Sequence, residues 1–256
     1  MIVKTEAIVL KTMKYRETSK IATLFTKRFG KLSVIAKGAR QRDSRVGSAL
    51  DSLNYVQAVL YKKEGKDLHL LSQCDVIKHF GRLTREMDRL SPAMTVLELI
   101  QTVAHAEEES SSLFEALTDA LETINDAQQN VQSVLLHFEL RLLDLLGFRP
   151  DLMKCAGCRK TLESVTGGTK SGFFRLSPGG FFCTGCGKGS GGSAGAARET
   201  IKVLRELQNI SSIRASELIL SPSCRDEARK ILWYFLRSHV EGMKRLKSEA
   251  VFSAVA

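Results

Sequence analysis

No apolar run in the 256 residues approaches the ~18 residues of a membrane span. The N-terminus, MIVKTEAIVLKTMKYRE, alternates apolar with charged residues, which excludes a signal peptide. The expectation is a cytoplasmic protein whose cysteines are reduced or metal-bound rather than paired in disulfides. No glycine-rich phosphate loop followed by Lys-Ser/Thr is present, so P-loop ATPase chemistry is excluded. His69, His79, His105, His137 and His239 form no H-E-x-x-H or other close ligand pair, and the acids do not group as a two-metal nuclease site. The sequence therefore reads as a non-enzyme. Aromatics are scarce at 7%, which leaves few rings for stacking on bases.

What is present is positive charge, and it is concentrated. Of the 38 Lys and Arg, twelve lie in residues 1–45, against Glu6, Glu17 and Asp43. The rest of the chain holds 26 basic and 25 acidic residues and is close to neutral. Charge needed only for solubility would be spread; charge gathered in one segment is the footprint of a phosphate-backbone binder. No basic amphipathic helix accompanies it, which argues against a membrane surface. Its densest stretch is KGARQRDSR, residues 37–45.

Around that stretch the pattern is β. TEAIVLKTM, SKIATLFTKRFG and GKLSVIAKGA are rich in β-branched residues and bounded by Gly30 and Gly38. Leu32, Val34 and Ala36 alternate with Lys31, Ser33 and Lys37, placing the apolar set on one face. SLNYVQAVLYKK and DLHLLSQCDVI follow, separated by a Glu64-Gly65-Lys66 turn. Five short strands in residues 1–79 match an OB-fold barrel, which binds single strands through a cationic groove and aromatic faces. Lys11, Lys14, Arg16, Lys27, Arg28, Lys31, Lys37, Arg40, Arg42 and Arg45 supply cations, and Tyr15 is the best ring for stacking. The phosphate-contacting set is expected to be Lys14, Arg16, Arg28, Lys31, Lys37, Arg40, Arg42 and Arg45.

From residue 80 the period becomes helical, and residues 80–150 read as a small bundle. Ser91-Pro92 signals a helix start, followed by a stripe of Val96, Leu97, Ile100, Val103 and Ala104. Ser112 with Glu115 reads as a capping box ahead of Leu117, Leu121 and Ile124. A third helix after Asn130 carries Val134, Leu135, Phe138, Leu142, Leu145 and Leu146 and ends at Gly147. The acidic run Glu107-Glu108-Glu109 between helices reads as a solvated turn.

CAGC at 155–158 and CTGC at 183–186 are the strongest local signal. Each C-x-x-C places two thiolates on one turn, and two turns complete a tetrahedral S₄ site for Zn²⁺. Four cysteines leave no position for water, so a zinc ion at Cys155, Cys158, Cys183 and Cys186 would be structural. Between them, Gly167-Gly168 and Pro178-Gly179-Gly180 flank Phe173-Phe174, as in hairpins of a ribbon spanning 151–187. Cys74 and Cys224 are expected to be isolated, buried thiols. KGSGGSAGAA, 188–197, reads as a mobile connector, and 198–256 as two closing helices packed on the helical domain. Trp233, with Arg229 and Arg237 at i±4, is expected to pack in the core, the alternative being part of a partner-binding patch.

Three stretches, FELRLLDLLGFRPDLMKCAGC, FRLSPGGFFCTGC and LWYFLRSHVEGMKRLKSEAVF, resemble the bacterial RecO recombination-mediator family, as does the opening barrel segment. The resemblance covers nearly the whole chain in order. It implies a multidomain α+β protein with an N-terminal OB-fold β-barrel, an α-helical domain and an inserted four-cysteine zinc ribbon. It also implies binding of single- and double-stranded DNA, annealing of complementary strands, and help in loading RecA onto DNA coated by single-strand-binding protein. RecR and the C-terminal tail of single-strand-binding protein are the implied partners, in the cytoplasm with the nucleoid. A non-enzymatic RNA-binding protein is the alternative, since barrels and zinc ribbons serve there too.

Overall fold

The computed structural model describes residues 1–42, 44–63, 65–161, 170–175, 180–187, 193–243, 246 and 248. The chain forms two compact units, Met1–Asn125 with Arg245–Ala256, and Asp126–Lys244.

In the first unit, β1 (Ile2–Tyr15), β2 (Ser19–Thr26), β3 (Gly30–Ala36), β4 (Tyr55–Tyr61) and β5 (Leu68–Lys78) close a barrel in the order β1-β2-β3-β5-β4. This is an OB-fold barrel. β1 is 14 residues long and serves two neighbours: its first half pairs with β4 and its second with β2. A register shift between Val9 and Lys11 gives the bend that this double pairing needs. The period-two expectation holds: Leu32, Val34 and Ala36 point inward with Val3, Ala7, Val9, Leu24, Val56, Ala58 and Leu60. Cys74 joins that core, and burial first, then the Asp75 carboxylate, pushes its thiol up to about 12.

β3 and β5 pair in parallel only over Ser33–Ile35 and Leu68–Leu70. The rest of the β3 edge is covered by the segment around residues 105–107. Ala106 bridges Lys31; the Lys31 N–H donates to the His105 carbonyl, and the Glu107 N–H to the Lys31 carbonyl. Glu107, Glu108 and Glu109 are exposed, as a solvated turn requires, but Glu107 is also paired. Its carboxylate binds Lys62 Nζ at 2.6 Å and His69 Nε2 at 3.2 Å, an arrangement between residues distant in sequence that local charge patterning cannot reveal.

The barrel's outer wall is covered by helices. α2 (Gly81–Arg85) and α3 (Met87–Val103) follow β5, then α4 (Ser111–Asp126). α3 starts upstream of the expected Ser91-Pro92 signal, and Pro92 lies inside it. Buried Arg89 accounts for the longer helix: it donates to the Ile124 carbonyl at 2.6 Å and to the Glu86 carboxylate, holding the turn before the proline. Phe114 of α4 packs on Phe25 and Tyr55, with ring centroids 6.1 and 6.0 Å away. Ser248 also belongs to this unit and donates from N and Oγ to the Glu98 carboxylate.

In the second unit α5 (Val131–Leu145) begins at Asn130 as expected. It ends in a Schellman motif: Gly147, at φ +81, donates to Asp144, and Phe148 to Leu143. The helices expected in one bundle thus fall on both sides of the division between units. β6 (Lys170–Arg175), β7 (Gly180–Phe182) and β8 (Ser193–Ala197) form a sheet ordered β7-β6-β8. α6 (Thr184–Gly187) carries Cys186, and α7 (Arg198–Leu207), α8 (Ser212–Glu217) and α9 (Pro222–His239) complete the unit. β8 corrects the connector expectation for 193–197: backbone pairing with β6, rather than side-chain propensity, orders this Ala/Gly strand. Residues 188–192 and the turns at Gly167-Gly168 and Pro178-Gly179 lie outside the described residues. Phe174 packs edge-on against Phe235 of α9 at 5.0 Å. Trp233 is half-buried rather than in the core, because Ile231, Leu232, Phe235 and Leu236 take the inward positions of α9.

Candidate nucleic-acid interface and metal centre

Strand register decides which of the expected cations meet. Lys14 pairs with Lys20, and Lys20 with Ala36, so the β1–β2 turn and the segment after β3 lie at one end of the barrel. Lys14, Arg16, Lys37, Arg40, Arg42 and Arg45 belong to that end, and all are exposed. The loop is ordered by its own hydrogen bonds. The Arg40 N–H donates to the Thr18 carbonyl at 2.9 Å and its Nη1 to the Arg16 carbonyl at 2.7 Å, tying loop to turn. Gln41 N–H donates to Gly38, and Ser44 N–H to Gln41.

The loop leads into a helix that sequence reasoning missed, α1 (Arg45–Ala49), capped by Ser44 Oγ accepting from the Gly47 N–H. Lys20 holds α1 through Nζ, which donates to the Gly47 carbonyl at 2.7 Å and meets Asp51 at 3.3 Å. Lys20 thus positions α1, a role that charge counting cannot assign. Tyr15 is half-buried at the same end, with the Arg16 guanidinium 5.3 Å from its ring centroid.

Arg28 and Lys31 are placed elsewhere, by the β2–β3 turn at the far end of that hairpin. Six residues of β3 separate Lys31 from Lys37, on the order of 20 Å of strand. Arg28 is exposed, its guanidinium 5.3 Å from the Phe29 ring. Lys31 Nζ donates to the Gln101 carbonyl at 2.9 Å, and burial lowers the pKa of its ammonium. Lys27 faces Glu6 at 3.7 Å. Phe25 is buried against Phe114 and is closed to bases.

The cysteines converge. The sulfurs of Cys155, Cys158, Cys183 and Cys186 lie within 4.8 Å of one another. Cys158 and Cys183 are 3.9 Å apart. Zn–S bonds of ~2.3 Å in a tetrahedron require sulfurs ~3.8 Å apart, so the donor set and spacing fit such an ion. The first knuckle is a tight hairpin: Lys154 bridges Thr161, the Cys155 N–H donates to Lys160, and Arg159 N–H to Cys155. In the second, the Cys186 and Gly187 N–H groups donate to the Cys183 carbonyl. Burial would raise the Cys155 thiol, but N–H groups of Cys158, Cys183 and Gly157 pull it down to about 6. Cys186 is pushed up to about 12 by its hydrogen bonds to Cys183 and Cys158. The cluster thus favours thiolate at Cys155, the form that a metal needs. Arg175 donates to the Cys186 carbonyl at 2.9 Å and stacks on Phe182 at 4.5 Å, bracing the second knuckle.

No described helix is long and apolar enough to cross a membrane. Residues 1–80 match the family model for the recombination protein O N terminal, and residues 85–250 the model for the recombination protein O C terminal. A DNA repair protein RecO of Pelodictyon phaeoclathratiforme is 30% identical over 257 residues, covering 96% of this chain and 97% of that one. That of Chloroherpeton thalassium is 29% identical over 255 residues, covering 99% and 98%. That of Chlorobaculum parvum is 39% identical over 155 residues, 60% of each chain, so this match spans well under two thirds of that relative. With barrel, cysteine cluster and both family models in agreement along its length, the chain belongs to the RecO family of recombination proteins.

Proposed function

We propose that this protein is a non-enzymatic mediator of recombinational DNA repair. It binds single- and double-stranded DNA through the phosphate backbone, with little reading of sequence, and anneals complementary strands. The observation that carries this reading is the gathering of exposed Lys14, Arg16, Lys37, Arg40, Arg42 and Arg45 at one end of an OB barrel. Guanidinium and ammonium groups held by a rigid loop neutralise phosphates on two strands, lower their mutual repulsion, and require no ATP. Arg28 and Lys31 belong to the proposed set but contact a separate stretch of strand.

Family membership supports the wider role: loading of RecA onto DNA coated by single-strand-binding protein, with RecR and the tail of that protein as partners, in the cytoplasm at the nucleoid. One zinc ion held by Cys155, Cys158, Cys183 and Cys186 fixes the ribbon and takes no part in chemistry.

The test is a fluorescence-anisotropy titration of single-stranded DNA across a salt series, with Lys37→Ala, Arg42→Ala and Arg45→Ala combined. With about five phosphates engaged, the log–log slope of affinity against salt is near −3.5, and the triple variant makes it shallower. A flat salt response would refute backbone binding. Stronger binding to an RNA of the same sequence would favour the RNA-binding alternative.

A further inference from the structure

The barrel has a second outward surface with exposed apolar side chains, at the end where β1 begins. Ile2 and Tyr61 face each other across the β1–β4 ladder, and Leu68 starts the neighbouring β5. Their side chains point to water: Ile2 is 63% exposed, Tyr61 43% and Leu68 42%. The adjacent residues Val3, Leu60 and Leu71 are buried in or against the barrel, so the exposed row stands on a firm sheet. The Met1 nitrogen donates to the Lys62 carbonyl at 2.9 Å and fixes the start of β1 against the β4–β5 loop.

Cations rim this apolar row. Lys4 lies two residues beyond Ile2 on the same face, and Lys63 and Lys66 project from the β4–β5 loop; all three are exposed. Lys62 is taken by Glu107 and does not count. Asp67 and Glu107, the latter neutralised by Lys62, are described acids beside the row. An aromatic and two aliphatic side chains beside exposed ammonium groups match the faces and phosphates of a single strand. The 14-residue β1 separates this surface from Lys14 and Arg16 by on the order of 45 Å of strand contour. Screening at physiological salt has a length of about 8 Å, so the two cationic groups act independently.

We infer that this face, Ile2, Tyr61 and Leu68 with Lys4, Lys63 and Lys66, is a second site for a single nucleic-acid strand. The inference rests on the nucleic-acid reading above and supplies what annealing by one molecule requires: a separate place for the complementary strand. The first strand lies on the Lys37–Arg45 loop and the second on the Tyr61 face.

The experiment is a stoichiometric titration of the full-length, zinc-loaded protein with a short oligothymidine, joined to an annealing assay and photo-cross-linking of a strand carrying 5-iododeoxyuridine. Wild type binds two strands and cross-links at Tyr61. Tyr61→Ala with Lys63→Ala and Lys66→Ala binds one, with the affinity of the remaining site unchanged and annealing slowed about tenfold, the scale of losing a stacked base. Tyr61→Phe keeps the ring and restores stacking. Two strands bound by the triple variant, or no cross-link at Tyr61 in wild type, would overturn the inference and leave this face to a protein partner. One strand per wild-type molecule, lost in the Lys37, Arg42 and Arg45 variant, overturns it while sparing the first site. No strand bound by any form overturns the nucleic-acid reading itself.

Discussion

Arg40 donates from Nη1 to the main-chain carbonyl of Arg16, 2.7 Å away, joining the cationic loop to a turn 24 positions earlier. Arg16 sits at φ +50, a left-handed conformation uncommon for a side-chain-bearing residue. Arg40 therefore both carries charge and sets the loop's shape, whereas Arg42 contributes its exposed charge. Arg42→Ala should weaken strand binding a few-fold and reduce the salt slope by about 0.7, one phosphate contact. Arg40→Ala should cost more affinity and also speed hydrogen exchange of the residue-40 amide, which donates to Thr18. Equal losses in the two variants, with unchanged exchange, would show that the tie to Arg16 is incidental.

Glu86 joins α2 to α3 through Arg82 and the buried Arg89, whose side chain is 3% exposed. Hydrogen bonds from Arg82 first, then Arg89, hold the Glu86 carboxyl down at about 2. A depressed carboxyl contributes stability that is complete above its ordinary pKa of 4.5 and is lost as pH falls toward 2. Glu86→Gln should lower the urea midpoint at pH 7, and the gap from wild type should close near pH 2. A gap of constant size across that range would rule out the ionised carboxylate as its source.

The barrel was legible because its cue is local: Leu32, Val34 and Ala36 alternate with polar residues, and the strand bounded by Gly30 pairs as that period requires. The four cysteines were legible for the same reason, since a C-x-x-C turn carries its own geometry. What escaped was non-local or weakly patterned. α1 has five residues, one of them glycine, too short to show a period. β8 has no β-branched residue and is a strand because β6 offers it hydrogen bonds. Glu107 is exposed as expected, but its pairing with Lys62 and His69 appears only in the fold. The cations form one group in sequence, but only register separates Arg28 and Lys31 from the Lys37–Arg45 end.

Gly30 stands where the chain covering the β3 edge comes closest. Its φ is +59, and an added Cβ would come within 2.0 Å of the Glu108 carbonyl oxygen. Both faults fall on backbone, so no side-chain rotation relieves them. Gly30→Ala should destabilise the barrel unit by about 2–4 kcal/mol, combining left-handed strain with overpacking. Equilibrium urea unfolding followed by barrel-unit fluorescence probes would measure it. A change below about 0.5 kcal/mol would mean that the 105–109 segment moves aside freely.

The cysteine cluster and the barrel belong to different compact units, so metal removal should act on one and spare the other. In the described part of the cluster, Cys155 and Cys183 are buried with Phe181 and Phe182, but Cys158 is exposed, and the hairpin of the first knuckle is short. Structural zinc in small modules contributes roughly 10–16 kcal/mol, far more than this hairpin's own contacts supply. Chelation, or Cys158→Ser, should therefore open residues 151–187 to protease while the OB barrel keeps its hydrogen-exchange protection. Cobalt in place of zinc should give the thiolate charge-transfer bands of a tetrahedral S₄ site. A ribbon that stays protease-resistant after complete chelation would show that its fold is carried by Phe174, Phe235 and the sheet rather than by the metal.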